Sequence, residues 1–87
     1  MTFEQLQEQS NRTLHAFLQT EITLGLTFVK RAEFERKNGN DQHFQKCKVN
    51  AILAAKTIER FKERLATNEK REIETSATEL HTAIAAL

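Results

Sequence analysis

Between Phe44 and Leu65 the chain carries two apolar lines rather than one. Phe44, Cys47, Ala51, Ala54, Ile58, Phe61 and Leu65 recur at steps of three and four, while Val49, Ile52 and Leu53 lie off that line. At about 100° per residue the first set forms one face of an α-helix and the second set forms another. A helix with two faces to bury requires two neighbours. Leu14 to Phe34 and Ile73 to Leu87 each carry apolar positions at helical spacing, so the pattern predicts an all-α fold. The expected architecture is an antiparallel helical hairpin joined by a third helix, an up-down-up three-helix bundle. Residues 1–87 form a single helical domain in this reading, with helices at about 3–37, 41–66 and 69–87.

The ends of the first two helices are written in their caps. Thr2 followed by Gln5 is a capping box, in which the threonine oxygen takes the amide three residues on and the glutamine reaches back. From there Leu14, Phe17, Leu18, Ile22, Gly25, Leu26, Phe28, Val29 and Ala32 cover more than half of the helix circumference. The pattern stops at Arg36 and Lys37, cations that suit a helix C-terminus, and Asn38-Gly39-Asn40 follows. Gly39 supplies the left-handed turn, and Asn40 or Asp41 caps the second helix. A chain folded back at Gly39 pairs positions whose numbers sum to roughly 79. Gly25 then meets Ala54 and Ala55, Phe28 meets Ala51, Leu18 meets Phe61 and Leu14 meets Leu65. Gly25 costs about 1 kcal/mol inside a helix, which close approach to two alanines explains.

Thr67-Asn68-Glu69 offers a cap and an acidic first turn, and Ile73, Ala77, Leu80, Ile84 and Leu87 repeat at helical steps. A reversal near Asn68 would set Leu80 and Ile84 beside Lys56, Leu53 and Ile52, with Leu87 at Val49, covering the second face of the middle helix. No Gly or Pro interrupts Leu65 to Ile73, so one long rod that buries this face between molecules stays open. The segment Phe3 to Thr13 overhangs the hairpin.

Composition restricts what such a domain does. The single cysteine forms no internal disulfide, no apolar run approaches the roughly 20 residues of a membrane span, and Glu4 and Glu8 stand where a signal peptide would be basic. The expectation is a cytoplasmic protein without membrane contact. Net charge is +1, zoned as −2 over residues 1–29, +5 over 30–64 and −2 over 65–87. Neighbouring helices that complement one another's surfaces produce such zoning, and so does a surface that steers a partner.

Motifs for chemistry are sparse. His43 and Cys47 stand one turn apart, but zinc takes about four ligands, and Cys47 lies on the core line. Di-iron bundles use Glu-x-x-His, whereas Arg12, Asn40 and Thr78 precede His15, His43 and His81 by three. Glycine-rich phosphate loops are absent, and a thiolate at Cys47 would need an electropositive cleft. The reading is therefore no enzyme, no cofactor, no metal and no small-molecule substrate. Nucleic-acid binding would rest on Lys56, Arg60 and Arg64, in a row at successive turns, together with Lys46 and Lys48. Glu59 and Glu63 interrupt that field, and no tyrosine or tryptophan is present to stack bases. Asn50, beside Ala51 at the hairpin seam, is expected to bond helix one and fix the register.

The block from Leu24 to Phe61 resembles a family of short, uncharacterised bacterial proteins of acidobacterial type. Gly25, Leu26, Thr27, Phe28, Gly39, His43, Asn50, Ala51, Thr57, Ile58, Arg60 and Phe61 carry the resemblance. Lys56-Thr57 departs from it, since an aromatic is expected after the alanines. The resemblance implies a helical hairpin and brings no activity. The function expected from the residues is a protein-interaction or self-association module anchored by Phe3, Leu6, Val49, Leu53 and Leu87, with small basic nucleic-acid binding as the alternative.

Overall fold

The computed structural model describes residues 2–87. They form three helices, α1 (Phe3–Lys37), α2 (Asp41–Phe61) and α3 (Thr67–Ala85), with a 3-10 turn at Lys62–Arg64 and no strand among the described residues. Thr2 and Gln5 make both bonds of the capping box. Asn40 caps α2 by accepting from the amide of His43 at 3.2 Å, and Gly39 takes φ +72° between the two helices. The long α1 sets the dimensions of the molecule, 55 × 19 × 15 Å.

Contacts between α1 and α2 run in opposite order along the chain. Asn11 meets Ala66, Phe17 meets Phe61, and Glu35 meets His43. A Cβ placed on Gly25 would lie 3.3 Å from Ala54 Cβ, the close approach that spends a glycine inside a helix. Contacts between α1 and α3 run in the same order: Gln19 meets Glu72, Gly25 meets Leu80, and Arg36 Nη1 donates to the Leu87 carbonyl. Leu18, Ile58, Ile73 and Leu80 are the largest fully buried side chains, each worth about 2 kcal/mol of apolar burial.

Three sequence expectations need correction. The middle helix ends at Phe61 instead of 66, and the reversal occupies residues 62–66 instead of Asn68. The tight 3-10 turn followed by extended Leu65 and Ala66 (ψ 152° and 157°) lets Leu65 turn into the core, where it is 7% exposed. A continuous rod is thereby replaced by a turn. The third helix starts at Thr67, not 69, and Thr67 and Asn68 do not cap it; Ala66 is the N-cap residue without a side-chain bond of its own. Its amide instead donates to Asn11 Oδ1 on α1 at 2.8 Å.

The third correction concerns the flank of α2 bearing Val49 and Leu53, which α3 leaves uncovered. Both residues are about half exposed, and Ile52 is only partly buried. α3 sits in the groove that α1 and α2 share, with Leu80 against Gly25, Glu74 toward Lys62 Nζ at 3.9 Å and His81 on Glu59 at 3.1 Å. Gly25 and the small Ala54 beside it leave room in that groove for Leu80. One core, shared by all three helices, thus forms where two separate faces of α2 were expected.

Candidate interaction surface

The first two turns of α1 stand in solvent, with the Leu65-Ala66 turn across an open groove from them. Every residue from Thr2 to Ser10 is exposed, and Asn11 is the first to be partly covered. Phe3 is 73% exposed and Leu6 51%. Further along the same face, Leu14 is half-buried and Phe17 is 43% exposed, its ring edge-on to Phe61 with centroids 6.5 Å apart. The apolar line thus emerges from the core at Leu14 and continues into solvent as far as Phe3. Open grooves flank it on both sides. One runs between Phe3, Leu6, Leu14 and the Leu65-Ala66 turn, and the other is lined by Leu6, Gln9, Ser10, Thr13, Leu14 and Phe17.

The other expected anchors separate. Val49 and Leu53, one turn apart on α2, remain exposed. Leu87 does not: it is half-buried, packs against the core cluster, and its carbonyl is held by Arg36. Phe17, Leu24 and Phe34 are exposed apolar residues absent from the expected set. For Phe17 the signal lay in the breadth of the α1 face, since a stripe wider than half a helix exceeds what two neighbours cover.

On the basic side of α2, the interrupting acids turn away. Glu59 is bonded by Lys62 Nζ at 2.8 Å and by His81, and Glu63 by Lys70 Nζ at 2.6 Å. The hydrogen bond donated by Lys62 holds the Glu59 carboxyl below its ordinary range, and the one that Lys70 donates to Glu63 raises the Lys70 ammonium. Lys46, Lys56, Arg60 and Arg64 have no carboxylate within ion-pair range among the described residues. Lys48 is partly buried. Arg60 and Arg64 lie over the Phe61 ring at 5.2 and 5.1 Å from its centroid, a cation–π arrangement that holds both guanidinium groups on the surface.

Candidate catalytic and ligand residues are dispersed. His15 Nε2 lies 3.3 Å from Glu72, His43 Nδ1 lies 3.8 Å from Glu35, and His81 bonds Glu59, so each histidine stands at a different pair of helices. Cys47 is a partly buried free thiol in a small cleft with Arg31, Glu35, His43, Lys46 and Asn50. Among the described residues no three His, Cys, Asp or Glu side chains group as they would around a metal ion. Asn50 forms no side-chain hydrogen bond among the described residues, so the register-fixing bond expected of it is not made; Thr27 bonds Thr23 O of its own helix at 2.8 Å instead. The asparagine that ties elements together is Asn11.

Among the described residues no helix is long and apolar enough to cross a membrane. Compared with known proteins, the chain matches no family model, no curated protein and no solved structure.

Proposed function

We propose that this chain is an up-down-up three-helix bundle working in the cytoplasm as a non-enzymatic interaction module, by self-association or by docking to another protein. One observation carries the reading: α1 continues as a capped helix well past its neighbours, and its apolar line continues with it, exposing Phe3 and Leu6. Short isolated helices are marginal in water because most helical stability comes from packing an apolar face. A free end of this kind gains that packing from a partner. Val49 and Leu53 form a second, smaller apolar spot on α2. The parallel order of contacts between α1 and α3 supports the bundle arrangement.

The test is crosslinking in cells with a photoreactive residue at Gln7, in the parent and in the double variants Phe3→Glu/Leu6→Glu and Val49→Glu/Leu53→Glu. All four positions are exposed, so the melting temperature should hold. The parent should give a discrete adduct that the first double variant loses; an identical adduct pattern in all three proteins would reject the reading.

A second reading is favoured by one observation, the cations Lys46, Lys56, Arg60 and Arg64 on α2 and the turn after it, which pair with no carboxylate among the described residues. A nucleic-acid backbone would take them as phosphate contacts, with Lys48 at the margin. Binding would then fall steeply with salt, by about one decade per decade of salt for each phosphate neutralised. A labelled oligonucleotide that shows no shift at about 50 mM salt would dispose of it.

A further inference from the structure

We propose that the partner of the α1 overhang is a second copy of this chain, whose own overhang lies antiparallel to it about a two-fold axis at Ser10. The proposal rests on the interaction reading above and names the occupant of that site. Its basis is the spacing of the stripe. Phe3, Leu6, Leu14 and Phe17 stand at −7, −4, +4 and +7 from Ser10, a line that reads the same in both directions. An isologous contact requires a patch complementary to itself. Reversing this line about Ser10 sets Phe3 of one copy on Phe17 of the other and Leu6 on Leu14. The small Ser10 falls at the crossing point, where the backbones come closest.

Charge and exposure agree with that occupant. At about 100° per residue the four apolar positions fall within roughly 40° of Ser10, whereas Glu4, Glu8 and Arg12 lie more than about 100° away. The flanks on α1 are the uncharged Gln7, Gln9 and Thr13, so the pairing buries no charged residue of α1, and Arg60 and Arg64 stay on the Phe61 ring at its edge. Asn11, on the side facing the turn, is already committed to Ala66. The open groove lined by Leu6, Gln9, Ser10, Thr13, Leu14 and Phe17 lies on the other side and holds no part of this chain. A Phe3 arriving there completes an aromatic cluster with the edge-to-face pair Phe17 and Phe61.

Exposed Phe3, Leu6 and Phe17 with their flanks would bury roughly 1,000 Å² in total, close to the lower limit for specific interfaces. Area alone does not set affinity; for a weak contact at this lower limit the expected dissociation constant is on the order of 10 µM. Sedimentation velocity of the full chain over a concentration range spanning that value should show a reversible monomer–dimer equilibrium. Leu6→Glu should weaken it at least about 30-fold, and Leu53→Glu by less than about twofold. Orientation is read separately: with Cys47→Ala in place, Ser10→Cys should form a disulfide dimer on mild oxidation, while Thr27→Cys should not.

A chain that stays monomeric well above this range overturns the pairing, as does a dimer indifferent to Leu6→Glu, or equal crosslinking at positions 10 and 27. The interaction reading fails by a different result, the unchanged adduct pattern in cells. A monomeric chain whose cellular adduct still depends on Phe3 and Leu6 would reject the second copy and leave a different protein as partner.

Discussion

Gly25 is where the packing is tightest, and its replacement by alanine tests the packing model most directly. A Cβ at this position would stand 2.8 Å from Leu80 Cδ2, 3.0 Å from Leu80 Cδ1 and 3.3 Å from Ala54 Cβ. Alanine gains about 1 kcal/mol of helix propensity over glycine. Against this, forcing a methyl into a filled core costs about 1–3 kcal/mol. The clashing atoms end a flexible side chain, but Leu80 is 0% exposed and has no solvent to rotate into. The balance is a destabilisation of about 1 kcal/mol, or about 4–8 °C in melting temperature for a domain of this size. Urea unfolding followed by circular dichroism measures it. Leu80→Ala alone should cost about 2–5 kcal/mol. The double variant should cost less than the sum by about 1 kcal/mol, because the alanine methyl at 25 enters the space that Leu80 vacates. A Gly25→Ala protein as stable as the parent, or strict additivity with Leu80→Ala, would refute this account of the α1–α2–α3 contact.

Other substitutions address single bonds. Asn11→Ala removes the acceptor for the Ala66 amide and should cost about 1 kcal/mol by the same unfolding assay, with faster amide exchange at the start of α3. Asn50→Ala removes a side chain that makes no hydrogen bond among the described residues and should change stability by less than about 0.5 kcal/mol. Glu59 has its carboxyl held below the ordinary 4.5 by the hydrogen bond from Lys62, so its contribution is present above that value and lost as pH falls through the lowered one. Glu59→Gln should therefore be less stable than the parent at pH 7, by no more than about 1 kcal/mol given solvent screening, and equal to it in strong acid; a difference that persists there would contradict the ion-pair origin.

Local signals carried much of this fold. The Thr2–Gln5 box, the Gly39 turn and the Asn40 cap each depend on residues within a few positions of one another, and their chemistry is the same whatever packs around them. The end of α2 was less legible. Phe61 through Arg64 continue a helical pattern in sequence, and the chain turns there because Leu65 is drawn into the core and Asn11, far away in sequence, holds Ala66. No window of neighbouring residues contains that information.

Candidate surface residues divided along the same boundary. Phe3 and Leu6 could be read as exposed from the length of α1 relative to its partners, which caps and periodicity define. Leu87 and the Val49–Leu53 flank could not, since their exposure depends on where α3 rests. The basic row was visible in sequence, but the contacts of Glu63 with Lys70 and of Glu59 with His81 required the third helix to be in place.

The first two helix starts and the pairing of Gly25 with Ala54 were determined by the sequence, because each follows from short-range caps or from one reversal at a glycine. Tertiary structure alone decided which groove α3 occupies, and with it which apolar residues stay in water. Periodicity specifies that a face is apolar; the depth of the hollow left by Gly25 and Ala54 specifies what fills it.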